Sequence, residues 1–368
     1  MQYLNDLEKI ININSYTQNK MGVDKVGKIM SAWLEEIGFT TTIYKRELIG
    51  NHLLLASQKE NNLPNILLLG HNDTVFPVGY FEGFTQDKEF IYGPGVCDMK
   101  GGNIVALEAL RNIYKKNGQI KNIDFLLVSD EETGSDDSSL ITSKIAKNYD
   151  YCFVFEAAGK NLELVTARKG VGRYIIKVEG KAAHAGTSYQ KGINANLEAA
   201  YKLQEYSKLI DFDKGTIVNV GKIEGGIGIN TVSPHCEMQM EFRFDTNEEK
   251  NRVMKEVERI TKHSYVDGTK STADCVIQRD VMEENEKQHK LIKLFENLTC
   301  KTIKTEKRGG VSDANVVAFQ GVTTLDGFGP FGDGDHTKKE RALKSSFVSR
   351  IDMMTKILTY FQKGKHSE

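Results

Sequence analysis

The sequence predicts an α/β protein, a doubly wound and mostly parallel sheet interrupted by a smaller inserted α+β domain. Three observations carry that expectation. Four short apolar runs, His52–Ala56, Ile66–Leu69, Ile123–Val128 and Tyr151–Phe155, alternate with helical stretches such as Asn103–Tyr114. Later, Cys236, Met238, Met240, Phe242 and Phe244 alternate strictly with Glu237, Gln239, Glu241, Arg243 and Asp245. Finally, 368 residues exceed what one ordinary core organises, so two domains are expected.

In order along the chain, residues 1–40 read as polar helix. The runs that follow are apolar on both faces, the pattern of parallel strands covered by helices on either side. Beyond about Arg168 the period of two marks a sheet with one buried and one wet face, and it puts Arg243 on the wet face. Two helical stretches are expected to cover the apolar side, one through Ile193, Leu197, Ala200 and Tyr201, the other through Val253, Val257 and Ile260. Strand, helix, two strands, helix and a final strand describe a split-βαβ sandwich over residues 168–282. The first domain is then discontinuous, residues 1–167 and 283–368, and ends in a long helix after Lys338.

Lys and Arg number 49 against 50 Asp and Glu, a formal net charge of −1. Nothing pulls such a chain toward nucleic acid or anionic membrane, so a small-molecule partner is expected. Met1–Leu7 has no basic segment leading into an apolar one, and no apolar run approaches a membrane span. A soluble, cytoplasmic protein is the expectation. Cys97, Cys152, Cys236, Cys275 and Cys300 are odd in number and contain no C-x-x-C pair, which argues against a disulfide framework or zinc ribbon and suits a reducing compartment.

The chemistry lies at the strand ends. Ile66–Leu69 runs into Gly70-His71-Asn72-Asp73, Ile123–Val128 into Ser129-Asp130-Glu131-Glu132, and Tyr151–Phe155 into Glu156. In an open parallel sheet the ligand crevice lies at the carboxyl ends of the strands, so three segments deliver imidazole and carboxylate to one place. Zinc takes such ligands at about 2.0–2.2 Å, and two ions about 3.5–4 Å apart need a bridging carboxylate. Asp98, in Gly95-Val96-Cys97-Asp98-Met99-Lys100-Gly101-Gly102 just before a helix, is the candidate bridge. Asp73, two residues beyond His71, is placed to accept the other ring N–H of that histidine. Asp136 and Asp137 read as helix N-terminal acids.

These segments, with Gly334-Asp335-His336, resemble the two-zinc metallopeptidase family of glutamate carboxypeptidase, aminoacylase and succinyl-diaminopimelate desuccinylase, and glutamate carboxypeptidase most of all. The resemblance runs almost end to end. It implies a zinc-exopeptidase-like catalytic domain with an inserted ferredoxin-like lid and dimerisation domain. It further implies two Zn²⁺ per chain, with Co²⁺ or Mn²⁺ as possible substitutes. His71, Asp98 and Glu132 would hold one ion, Asp98, Glu156 and His336 the other, and Glu131 would be the general base. His184, in Gly180-Lys181-Ala182-Ala183-His184, would stabilise the oxyanion in a partner subunit's site, which implies a homodimer through the lid. Asn230 and Arg243 would contact substrate, Arg243 gripping a carboxylate with two hydrogen bonds. Gly309 and Gly310 resemble the family's glycine-rich substrate loop. Asn72 and Cys97 depart from the usual residues without being ligands; Cys97 reads as a small buried filler.

Glu156 resembles the carboxypeptidase and deacylase branches, since aminopeptidase relatives tend to carry aspartate there. The implied activity is a carboxypeptidase that releases a C-terminal, glutamate-like amino acid from a peptide or N-acyl conjugate. An N-acyl amino acid deacylase or desuccinylase is the alternative, and an inactive metal-bound dimeric binding module is an alternative of another class.

Overall fold

The computed structural model describes residues 2–363. The chain divides into two compact units, one of Met1–Ala167, Glu284–Arg308 and Ser312–Glu368, the other of Arg168–Glu283 with Gly309–Val311. Among the described residues, no helix is long and apolar enough to cross a membrane.

The first unit is built on a six-stranded sheet in the order Thr40–Tyr44, His52–Ala56, Ile123–Val128, Ile66–His71, Tyr151–Val154, Thr323–Leu325. The last four run parallel, while the first two are antiparallel additions at one edge. Every residue of Ile66–His71 and Ile123–Val128 is buried, as strands covered on both faces must be. Helix Lys100–Asn117 packs against Gln2–Ile11 and Lys344–Phe361, and helix Ser138–Ala146 against Asp313–Phe319. The α/β class and the mostly parallel sheet are as the sequence predicts.

The polar stretch at the start is two helices, Gln2–Ile11 and Lys20–Glu35. The break has a local cause. Asn19 caps the second helix by accepting the Gly22 N–H, and a Cβ at Gly22 would lie 1.8 Å from the Asn14 carbonyl oxygen. The final helix starts at Lys344 rather than after Lys338, because Arg341–Leu343 is a strand paired with Phe90–Tyr92.

The second unit is an antiparallel sheet ordered Ile217–Gly225, His235–Phe244, Gly170–Glu179, Lys270–Arg279. With helices Ala195–Ser207 and Asn247–Lys262, this is the ferredoxin-like arrangement. Cys236, Met238, Met240, Phe242 and Phe244 are buried, and Val253, Val257 and Ile260 meet them. The other helix differs from expectation. Leu197 and Tyr201 are 41% and 43% exposed, and its buried face is Ala195, Glu198, Ala199, Lys202 and Tyr206. Lys202 Nζ lies 3.0 Å from Glu198 Oε1 and donates to the carbonyls of Ile260 and Thr261, while Glu198 Oε2 accepts the N–H groups of Tyr265 and Val266. A buried ion pair that satisfies the end of the neighbouring helix outweighs apolar periodicity here.

Glu249 should make this unit sensitive to acid. Hydrogen bonds from Arg252 foremost, and from Thr216 Oγ1 at 2.6 Å, lower its carboxyl to about 2. A depressed folded pKa gives stability that is present above the unfolded value, about 4.3, and is lost as pH falls toward 2. Glu249→Gln should therefore flatten the decline of the urea midpoint between pH 4.5 and 2. An unchanged acid limb would remove Glu249 from the explanation.

Candidate metal centre

The end of strand Ile66–His71 is kept in register beyond the strand itself, with Asn72 N donating to Val128 O at 2.9 Å and Phe155 N to Leu69 O at 3.1 Å. His71, Glu131, Glu132 and Glu156 thus leave three neighbouring parallel strands at their carboxyl ends. His71 is buried, and its Nδ1 donates to the Asp73 backbone carbonyl at 3.0 Å, with Asp73 Oδ1 at 3.3 Å. The sequence pointed to the Asp73 carboxylate as the acceptor, but the shorter contact is the main chain. That carboxylate instead accepts Thr17 Oγ1 at 2.7 Å and the Glu132 N–H at 3.3 Å. His71 Nε2 faces the cluster, with Asp98 Oδ1 at 3.2 Å and Glu156 Oε1 at 3.6 Å.

Asp98 joins the cluster from the turn before helix Lys100–Asn117, and its peptide bond to Met99 is cis. Its Oδ1 lies 3.2 Å from His71 Nε2, and its Oδ2 lies 3.2 Å from His336 Nε2. Glu156 Oε1 is 3.6 Å from His71 Nε2, and Glu132 Oε2 is 3.1 Å from His336 Nε2. These contacts pair His71 with Glu156 and His336 with Glu132 across Asp98. The resemblance implied the opposite partition of the two glutamates; both stand at strand ends, and sequence order does not tell which imidazole each meets. Donor atoms of His71, Asp98 and Glu132 also fall within 4.8 Å of one another, as do those of His71, Glu131 and Glu156.

The acidic turn is rigid. Asp130 accepts the N–H groups of Asp137 and Ser138 at the start of the next helix, and its carbonyl accepts those of Thr133 and Ser135. Asp137 stands at the N-cap of that helix, as the sequence suggested, but its carboxylate binds Arg46 and, at 2.9 Å, His52 Nε2, and it is Asp130 that caps the helix N–H groups. His336 sits on a loop in the left-handed region, φ 60°, with its side chain 59% exposed.

Burial pushes the carboxyls of Glu131 and Glu156 well above the usual range, and that of Glu132 to about 8. Burial works the same way on Asp98, but hydrogen bonds from His336 and His71 hold it well below. Hydrogen bonds from Asp98 and Glu132 raise His336 to about 11. Four carboxylates packed around two imidazoles are short of positive charge, and oxygen and imidazole nitrogen are the donors that divalent transition ions take. The residues fit a metal centre.

Two buried groups here have no periodic signal in the sequence. Lys100 Nζ donates to the carbonyls of Ile10 and Ile13, and burial lowers it to about 7. Glu340, four residues after His336, accepts backbone N–H groups from the turn that carries Asp98. Cys97 is buried, as expected, with its Sγ 2.7 Å from Asp335 Oδ1.

The other expected site residues lie in the second unit. His184 Nδ1 accepts the N–H groups of Gly186 and Thr187, which leaves the proton of a neutral ring on Nε2. Asn230 adjoins it, since Ala185 N donates to Asn230 O at 2.9 Å and His184 bridges Thr231. Arg243 donates through Nε to Glu241 and through Nη1 to the Gly309 carbonyl at 3.1 Å, and Arg168 Nη1 donates to the Gly310 carbonyl at 3.0 Å. The carbonyls of the glycine pair are thus turned to arginines.

Residues 166–269 match the peptidase dimerisation domain of the M20 peptidases. Carboxypeptidase G2 of Pseudomonas sp. (strain RS-16) is 28% identical over 98% of this chain and 89% of its own. The chain is similar to M20 metallopeptidases along nearly its whole length. Acetylornithine deacetylase of Photorhabdus laumondii is also 28% identical, over 58% of this chain and 59% of its own. In fold, the chain is similar to the aminopeptidase PepT of Bacillus cereus, with TM-score 0.80 and 21% identity over 98% of each chain. These likenesses make the chain a hydrolase and give the strand-end cluster a context of peptide and amide chemistry.

Proposed function

We propose that this M20 enzyme is a carboxypeptidase that hydrolyses the amide bond before a C-terminal, glutamate-like amino acid, using two Zn²⁺ held by His71, Asp98, Glu132, Glu156 and His336. The reading rests on one arrangement: Asp98 turns one oxygen to His71 and the other to His336, with Glu156 beside the first and Glu132 beside the second. When bound, such ions acidify a shared water and polarise the scissile carbonyl. Glu131 takes the proton of the attacking water on its carboxylate and returns it to the leaving nitrogen. Asp73, through its carbonyl and carboxylate, keeps the His71 ring oriented. His184 donates from Nε2 to the oxyanion in a partner subunit's site, Asn230 contacts the substrate, and Arg243, beside the Gly309-Gly310 segment, pairs with the substrate's free carboxylate. The 168–282 segment serves as lid and dimerisation domain, and 1–167 with 283–368 as the catalytic domain. The five cysteines are all unpaired, which suits the cytoplasm.

The similarity to acetylornithine deacetylase favours a second reading, removal of an acyl group from an amino acid by the same groups. Chelator-treated protein should be inactive and regain activity with Zn²⁺, Co²⁺ or Mn²⁺. The restored protein should then release glutamate from C-terminal-glutamate dipeptides and N-acylglutamates faster than it cleaves N-acetyl or N-succinyl derivatives of other amino acids. The reverse preference would select the deacylase. Metal binding without turnover on any of them would leave a binding module.

A further inference from the structure

Glu340 is fully buried and makes three backbone hydrogen bonds to a single turn. Its Oε2 accepts the Gly95 N–H at 2.9 Å, and its Oε1 accepts those of Cys97 at 3.0 Å and Asp98 at 3.1 Å. Its own backbone closes the other loop, with Glu340 N donating to Thr337 O at 3.2 Å, and its carbonyl accepts Gly93 N at 3.4 Å. One residue therefore fastens the turn that presents Asp98 to the loop that presents His336. The bases of these loops are already joined without that side chain, because Arg341–Leu343 pairs with both Gly332–Asp333 and Phe90–Tyr92. Its carboxylate adds definition where the main chain leaves the sheet. His336 needs it most, because its loop is exposed and in a left-handed conformation.

We propose that Glu340 is a positioning residue that holds Asp98 and His336 in a fixed mutual geometry, so that the second metal ion finds its ligands already aligned. The inference rests on the two-metal reading. Glutamine in its place keeps the shape but sets an amide N–H against one of the three N–H donors. Aspartate keeps the charge but falls a methylene short of the turn.

The test is titration of metal-free wild type, Glu340→Gln and Glu340→Asp with Co²⁺, followed by calorimetry and visible absorption, with the Tm of each metal-free protein recorded. The first ion should bind all three similarly. The second should bind both variants about 10- to 100-fold more weakly, with an altered visible spectrum and a lower kcat at nearly unchanged KM. Wild-type affinity and spectrum in the variants, whatever happens to Tm, would overturn the inference and leave the two-metal reading standing. No Co²⁺ binding by wild type would overturn both. Failure of both variants to fold would make Glu340 a residue of the fold rather than of the metal geometry.

Discussion

Glu131→Gln should lower kcat by about 10²- to 10⁴-fold while KM and metal content stay near those of the wild type. Glu131 opens the short turn Glu131–Thr133 directly after a fully buried strand, and its carboxyl is pushed up by burial. A carboxylate desolvated in this way accepts a proton from water more readily than a surface glutamate. Glutamine fills the same volume but cannot take a proton, so the variant separates proton transfer from packing. Metal analysis beside steady-state kinetics decides the role. Donor atoms of Glu131, His71 and Glu156 lie within 4.8 Å, so Glu131 as a ligand is the natural competitor. Loss of an ion in the variant would make it a ligand, and activity within tenfold of wild type would end its candidacy as base.

Asp98→Ala should remove both ions and reduce hydrolysis to background, whereas His336→Ala should remove one. Asp98 is the residue of the cluster whose two oxygens each meet a different imidazole at 3.2 Å. Without it, each site keeps one imidazole and one glutamate, too few protein ligands for tight binding of a tetrahedral ion. Elemental analysis after dialysis checks the stoichiometry. Two ions retained by Asp98→Ala would refute the bridge, and equal losses in the two variants would show that the sites do not fill independently.

The class of fold was legible because its signals are local. Ile123–Val128 is apolar at nearly every position and the His235–Phe244 strand at every second one, and these patterns follow directly from burial on two faces or one. The cluster was legible for a related reason, since residues at the carboxyl ends of adjacent parallel strands must emerge together. What escaped depends on partners distant in sequence. The inward face of Ala195–Ser207 is set by Lys202 reaching carbonyls near residue 260, so Leu197 and Tyr201 misled. Which glutamate meets which imidazole depends on where the His336 loop crosses the sheet edge. Glu340 and Lys100 are buried charges whose partners are backbone groups, and backbone groups carry no sequence identity.

The second unit closes on itself. Arg168 and Met282 exchange a pair of backbone hydrogen bonds, N to O at 3.0 and 3.1 Å, so the segment begins and ends at the same place. The consequence concerns the order of folding. Strand Thr323–Leu325 must pair with Tyr151–Val154, which precedes the whole insert. Closing an unstructured loop of that length costs about 2 kcal/mol more than closing one tenfold shorter. An insert that folds early and ties its ends together shortens that loop roughly threefold and removes about 1 kcal/mol of the penalty, so the late strand joins the sheet across a shorter connection. Refolding of the parallel sheet should therefore wait on the insert, and a defect confined to residues near Arg168 or Met282 would appear as slow folding before it appeared as lost activity.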